Sequence, residues 1–197
     1  LQLNIQAMNQ SKGDLEKRDQ LYENSTGLLK DVHKEIRNIA FNLMPQTLTK
    51  EGLVPAVREL IKRINKTEQL IVHFSELDMD ERLPEIAEVS LYRIIQELLS
   101  NIMKYSKASN VYLGLTNHSD ELVLTLEDDG EGYDLDKFKV SEGNGWRNIN
   151  TRLNLIKAEI EIDTSEGRKG TSTIINMPLK AMGNGQLSDQ RTSSEAR

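Results

Sequence analysis

Apolar positions in residues 1–45 recur at the three- and four-residue spacings of an amphipathic helix. Leu1, Ile5, Met8 and Leu15 fall on one stripe, and Leu29, Val32, Ile36, Ile39 and Leu43 on another. Between the two, Ser11-Lys12-Gly13-Asp14 is polar and contains glycine, so the first helix is expected to end or loosen there. Two such helices in sequence form a hairpin, and each stripe needs an apolar partner. Pairing with a second copy into a four-helix bundle meets that need; packing of both helices onto the following domain is the alternative. Met44-Pro45 stops the second helix, because proline disfavours helix at the residue before it. Gly52-Leu53-Val54-Pro55 opens another, expected to run to about Asn65, with proline in the first turn where its missing donor is not needed.

From about residue 70 the period shortens. Leu70–Glu76, Val111–Thr116, Leu122–Glu127, Ile160–Thr164 and Thr171–Met177 are β-branched or alternating runs and are predicted as strands. A long helix is predicted from about Glu85 to Tyr105, with Ile86, Val89, Ile94, Leu98, Ile102 and Tyr105 on one broad face. Another follows Gly145, with Ile149, Leu153 and Ile156 on one side. This order predicts an α+β fold, a helical hairpin and then a mixed, mostly antiparallel sheet with helices on one face. The expected boundaries are a helical dimerisation region over 1–66, a second domain over 67–180 and a tail over 181–197. The tail is rich in Gly, Ser, Gln and charge, lacks a hydrophobic set and reads as disordered.

Composition narrows the function. Of 197 residues, 37% are hydrophobic and 28% charged, enough apolar material for one or two globular domains. No apolar run approaches the ~20 residues that span a bilayer. Lys and Arg number 25 against 31 Asp and Glu, a net charge of −6, which argues against a general grip on nucleic acid. The absence of cysteine excludes disulfide scaffolds, thiol catalysis and zinc fingers. His33, His73 and His118 are too scattered to suggest a metal site. The chain starts at Leu1 without a signal segment, so it reads as a piece of something longer.

Four segments carry candidate chemistry. In Arg93-Ile-Ile-Gln96-Glu97-Leu-Leu-Ser-Asn101-Ile-Met-Lys104-Tyr105, the residues Glu97, Asn101 and Lys104 sit at i, i+4 and i+7. One helix face then offers a carboxylate, an amide and an ammonium, a set suited to Mg2+ bridging phosphates, though equally an ordinary solvated face. Glu127-Asp128-Asp129-Gly130-Glu131-Gly132-Tyr133 follows a strand, and its two glycines let backbone approach a ligand. Glu142-Gly143-Asn144-Gly145-Trp146-Arg147-Asn148 leads into a helix, whose free amide donors attract phosphate. Gly167-Arg168-Lys169-Gly170-Thr171 precedes the last strand.

Taken in order, these segments resemble the Bergerat-type ATP-binding domain of histidine kinases, gyrase, Hsp90 and MutL, a two-layer α/β sandwich. Glu97 to Tyr105 resembles its N box, Asp128 to Gly132 its G1 box, Gly143-Asn144-Gly145 its G2 box and Gly170-Thr171 its last glycine-threonine contact. Upstream, Glu35-Ile-Arg37 to Met44-Pro45 and Leu48 to Gly52-Leu53 and Ala56-Val57 are similar to the second dimerisation helix and connector of nitrate/nitrite-type sensor histidine kinases. Trp146-Arg147-Asn148-Ile149 to Arg152-Leu153 also resembles that family's Gly-Leu-x-Asn-Met-x-x-Arg stretch, with Trp146 in place of leucine. The ten-residue loop Tyr133–Glu142 matches its short lid.

The resemblance implies a histidine kinase of a two-component system, with ATP and Mg2+ as cofactors. Asn101 would hold magnesium with Glu97 beside it, and Glu97, Asn101 and Lys104 would form the catalytic set. Lys104 would meet a phosphate, Tyr105 would line the nucleotide near the ribose, and Asp128 would accept from the adenine amino group with Thr171 assisting. Gly130, Gly132, Gly143 and Gly145 would permit close backbone passage and lid movement, and Trp146 would join the nucleotide-binding set. Partners would be a second copy through the N-terminal helices and a response-regulator receiver domain, with no nucleic acid. Leu1-Gln-Leu-Asn-Ile resembles the later half of the family's first dimerisation helix, so the acceptor histidine would lie upstream of Leu1; His33 is a poor substitute, since Lys34 rather than an acid follows it. The full protein would be anchored in a bacterial inner membrane by upstream segments, with this part cytoplasmic. A serine kinase of the anti-sigma-factor type and a non-catalytic nucleotide-binding dimerisation module are the alternatives; the former lacks the hairpin and Leu-Met-Pro connector.

Overall fold

The computed structural model describes residues 15–42, 44–135 and 144–179. The chain divides into two compact units, Leu1–Met44 and Pro45–Arg197. The described part of the first unit is helix α1 (Leu15–Asn42), which starts just after the expected polar break. Ser25 and Thr26 return their hydroxyl protons to the carbonyls of Leu21 (2.7 Å) and Tyr22 (2.8 Å), the habit of these residues inside helices. The expected first helix of the hairpin and the tail from 181 lie outside the described residues.

The second unit opens with two helices, α2 (Gln46–Glu51) and α3 (Leu53–Asn65). Helix α2 carries no apolar stripe and was not legible in the sequence. Pro45 begins it, and the Gly52 amide closes it on the carbonyls of Thr47 and Leu48. Both helices fall in the compact unit that holds the sheet, Pro45–Arg197. The reason is burial: Leu48, Leu53, Ala56, Val57, Leu60 and Ile64 are all at most 2% exposed. Thr47 Oγ1 donates to Glu59 Oε2 (2.7 Å), and Arg82 reaches from the loop before Glu85 to the Leu48 carbonyl and to buried Glu88 (2.6 Å).

Five strands follow in the order β1-β2-β3-β5-β4. They are β1 (Ile71–Leu77), β2 (Asn110–Asn117), β3 (Glu121–Glu131), β4 (Glu159–Asp163) and β5 (Lys169–Pro178). Only β1–β2 is parallel; the β2–β3, β3–β5 and β4–β5 pairs are antiparallel, as the predicted mixed sheet requires. Helix α4 (Glu85–Asn101) bridges β1 and β2 and runs on into a π-helical turn, Ile102–Ser106; helix α5 (Asn144–Leu155) bridges β3 and β4. At the open side of edge strand β1, the Asn65 amide binds both backbone groups of Val72, accepting from its N–H (2.8 Å) and donating to its carbonyl (3.0 Å).

The core lies between α4 and one face of the sheet. Leu91, Ile94, Ile95 and Leu99 of the helix and Val111, Leu113, Leu115, Leu122, Leu124 and Leu126 of the sheet are nearly inaccessible, as are Ile149, Leu153 and Ile156 at α5. Two residues of the expected α4 face are not in it. Ile86 is 51% exposed in the first turn, and Tyr105 is 71% exposed because the wider π turn carries it out of phase. Ala87 and Leu91 take the buried positions instead. Among the described residues, no helix is long and apolar enough to cross a membrane.

Candidate functional site

A cavity of about 430 Å³ opens between the C-terminal end of α4 and the same sheet face, within the size range of small-molecule sites. Its floor is Leu126 and Asp128 of β3, Thr171 and Thr173 of β5 and Ile162 of β4. Leu98, Asn101, Ile102, Tyr105 and Ser106 form the opposite wall, and Tyr133 and Trp146 flank it. The lining is mostly apolar, so it suits a flat ring, while its few polar atoms are placed to orient one.

Asp128 and Thr171 are directly paired across β3 and β5, and are 7% and 5% exposed. Asp128 Oδ1 accepts the Gly130 amide at 2.9 Å. Burial pushes the Asp128 carboxyl above its usual range, against the pull of the Gly130 amide; the neighbouring Asp129 charge adds to the rise and the Thr171 hydroxyl opposes it. Asp129 behaves oppositely: its carboxylate accepts the Ser109 and Asn110 amides (2.7 and 2.8 Å) and is held below the usual range chiefly by Asn110. One acid reads the cavity, and its neighbour fastens the start of β2.

Backbone crowding explains two of the glycines. The β3 ladder shifts register between Asp128 and Glu131, bending the strand end across the cavity. A Cβ on Gly130 would lie 2.3 Å from the Ser106 carbonyl, and one on Gly132 would lie 2.2 Å from the Ser165 carbonyl and 2.5 Å from that of Arg168. The Gly132 amide donates to the Arg168 carbonyl (2.8 Å), so the β4–β5 turn is tied to the end of β3.

Asn101 Nδ2 is buried without a hydrogen-bond partner inside this cavity wall. A buried unmet donor has a free-energy penalty that a ligand oxygen would remove. A Cβ on Gly145 would stand 2.6 Å from Glu97 Oε1 and 3.7 Å from that Asn101 nitrogen, so the start of α5 closes on these two side chains. Among the described residues, no group of three His, Asp or Glu side chains is gathered to hold a metal unaided.

The structure thus brings Asn101, Tyr105, Asp128, Gly132, Trp146 and Thr171 to one cavity. Glu97 and Gly145 adjoin it behind Asn101, and Gly130 packs beneath it on Ser106. Lys104 is exposed on the π turn and does not line the cavity, so the expected line Glu97-Asn101-Lys104 breaks where the wider turn begins. Gly143 lies outside the described residues. Sequence reasoning missed Tyr133 and Thr164. Tyr133 is pushed up to about 12 by burial, with Asp128 adding to the rise. Its amide donates to Thr164 Oγ1 (3.2 Å), which stands 3.1 Å from Thr171 Oγ1. Both depend on contacts between distant segments; the one local signal was the position of Tyr133 directly after Gly132.

Residues 86–181 match the family of histidine kinase-, DNA gyrase B- and HSP90-like ATPases. The chain is 30% identical over 153 residues to the signal transduction histidine-protein kinase/phosphatase DegS of Brevibacillus brevis, covering 77% of this chain and 39% of that protein. It is 34% identical over 160 residues to the sensor histidine kinase ComP of Bacillus subtilis, covering 77% and 20%. The chain therefore spans well under half the length of these relatives. Among solved structures, the histidine kinase AdeS of Acinetobacter baumannii shares the fold at a TM-score of 0.52, with 15% identity over 90% of this chain and 92% of that one. The histidine kinase domain of a blue-light-activated kinase of Erythrobacter litoralis does so at 0.53, with 20% identity over 65% and 61%. Over 77% of its length the chain is thus similar to sensor histidine kinases, and residues 86–181 match the ATPase family of the histidine kinase, gyrase B and HSP90 type.

Proposed function

We propose that the cavity binds Mg-ATP and that this domain directs the γ-phosphoryl group to a histidine, for onward transfer to a response-regulator aspartate. The observation that carries the reading is buried Asp128 facing a mostly apolar cavity opposite an Asn101 donor with no partner. Asp128 with Thr171 would take the adenine amino group, and Tyr105 and Trp146 would cover the nucleoside. Asn101 would meet the phosphates, while Lys104, exposed on the mobile-ended side chain typical of lysine, would approach them from solvent. Gly143 and Gly145 would admit the phosphate chain at the start of α5. Mg2+ fits the oxygen-bearing pair Asn101 and Glu97, completed by phosphate oxygens and water, and when bound it neutralises charge on the phosphates. The chain's own part in catalysis is then positioning and electrostatic support.

The acceptor histidine is not His73 or His118 in this reading. His73 stacks on Tyr112 on the open side of β1 and β2, and His118 sits in the β2–β3 turn. Dimerisation through the N-terminal helices, with relay to a receiver domain, follows the habit of the family. The Trp146–Leu153 and Glu35–Pro45 stretches support a place near the nitrate/nitrite sensors. Calorimetric titration of Mg-ATP into the chain tests the reading: saturable binding, weakened in Asn101→Ala and by removal of Mg2+, is expected. A folded chain that takes up no nucleotide would overturn it.

A further inference from the structure

The chain contains two Asn-Gly sequences, Asn144-Gly145 at the start of α5 and Asn184-Gly185 in the tail. Asparagine is among the thermolabile residues. A following glycine makes it more so, because no side chain hinders the approach of the glycine nitrogen and the backbone turns freely. Asn144 and Gly145 are the first two residues of α5. The first four amides of a helix have no acceptor within it, so the Gly145 nitrogen is outside the ladder that protects such sequences deeper in a helix. Packing keeps the pair labile. A Cβ on residue 145 would stand 2.6 Å from Glu97 Oε1, closer than real Cβ contacts come, so glycine is demanded where any larger residue would slow the reaction.

Resting on the reading that the start of α5 takes the phosphates of ATP, we propose that Asn144 is a deamidation site: its reaction disables the nucleotide cavity, and bound Mg-ATP guards against it. The Gly145 nitrogen attacks the side-chain carbonyl carbon of Asn144. A new N–C bond closes a succinimide ring, the old C–N bond breaks, and the side-chain nitrogen leaves as ammonia with the Gly145 amide proton. Water then opens the ring. Attack at the side-chain carbon gives aspartate, and attack at the backbone carbonyl carbon gives isoaspartate. Either product puts a carboxylate at the helix start, one residue from the Gly145–Glu97 contact, so an incoming phosphate meets two negative groups where it met one. Isoaspartate also routes the main chain through an extra carbon and displaces Trp146, which lines the cavity. Phosphates seated on the α5 amides hold this turn in its helical form, so a chain reacts only while its cavity is empty.

The test ages the chain in warm neutral buffer with and without Mg-ATP and follows both Asn-Gly sequences by peptide mapping and mass spectrometry, with Asn184 as the reference within the same molecule. At Mg-ATP about 100 times its Kd about 1% of chains are empty, so conversion of Asn144 should slow up to about 100-fold while Asn184 converts equally in both samples. Chain converted at Asn144 should bind Mg-ATP about tenfold more weakly in calorimetric titration, and Asn144→Asp should match it. Asn144→Gln, whose longer side chain cannot close the same ring, should bind after ageing as it did before. An Asn144 that stays intact while Asn184 converts, or that converts equally with and without nucleotide, overturns the proposal, as does an unchanged affinity after conversion. Wild type alone decides the mapping, even if neither variant folds. A fresh chain that binds no Mg-ATP, a result read before ageing begins, overturns the assignment of the cavity and the guard with it.

Discussion

Asp128→Asn separates what the buried acid does for the fold from what it does for the ligand. Asparagine keeps the volume and an oxygen to accept the Gly130 amide, now at 2.9 Å, but removes the charge. Burial raises the Asp128 pKa above its unfolded value, so the wild-type fold loses stability as pH climbs from the ordinary carboxylate range through the raised value. At pH 7 the unliganded variant should melt at or above wild type. The difference should shrink as pH falls toward 4, where the acid is increasingly protonated in both folded and unfolded states. Ligand reverses the order. At Mg-ATP about 100 times its Kd, wild type gains about 2.7 kcal/mol, a rise in Tm of about 5–11 °C for a chain of this size. Losing a hydrogen bond to a charged group removes about 1.5–3 kcal/mol of affinity, roughly 13- to 160-fold. At the same ATP concentration the variant then gains only about 0.3–1.3 kcal/mol, about half the wild-type shift or less. Differential scanning calorimetry with and without Mg-ATP reads both effects. A full ATP shift in the variant would refute Asp128 as the adenine acceptor, and an unliganded variant melting well below wild type would refute the cost assigned to its charge.

Other substitutions probe the surroundings. Tyr133→Phe should flatten the fall of stability between pH 10 and about 12, because the folded phenol holds its proton to about 12 while the unfolded one releases it near its ordinary value; the wild-type-minus-variant difference in urea midpoints measures this, and parallel curves would contradict it. Gly132→Ala forces a Cβ against two backbone carbonyls, so a destabilisation of about 1–3 kcal/mol in chemical denaturation is expected, with loss of nucleotide binding. Arg82→Met strands the carboxylate of Glu88, which is 2% exposed; its melting temperature should fall below that of the double variant Arg82→Met with Glu88→Gln, which has no stranded charge.

The sheet was readable because each strand alternates on a two-residue period that a single buried face imposes, and all five expected runs are strands. Helices α3 and α5 were readable from their stripes and glycine starts. Helix α2 was not, since its six residues bury only Leu48 and owe their place to the Arg82 contacts made from 32 and 34 residues downstream. The π turn was also hidden, because Ile102-Met-Lys-Tyr-Ser differs little in composition from a last α-helical turn. That single local widening carried Tyr105 outward and took Lys104 off the expected line. Asp128, Thr171 and Asn101 were legible as motif members, whereas Thr164 and Tyr133 became visible only once the β4–β5 register placed Asp163 opposite Ser172 and so Thr164 beside Thr171.

The Asn65 amide on Val72 has a consequence for how copies of this protein can assemble. An edge strand with unmet backbone groups recruits another strand, and chains with such rims stack into fibres. Here the first rim is stoppered by a side chain that imitates a neighbouring strand for one residue. The opposite rim, β4, is five residues long and carries Glu159, Glu161 and Asp163 along one face, so two identical rims brought together would repel. Self-association by lengthening the sheet is opposed at both ends, by the Asn65 amide at Val72 and by the acidic face of β4. Pairing of copies through helical surfaces leaves both of these rims untouched.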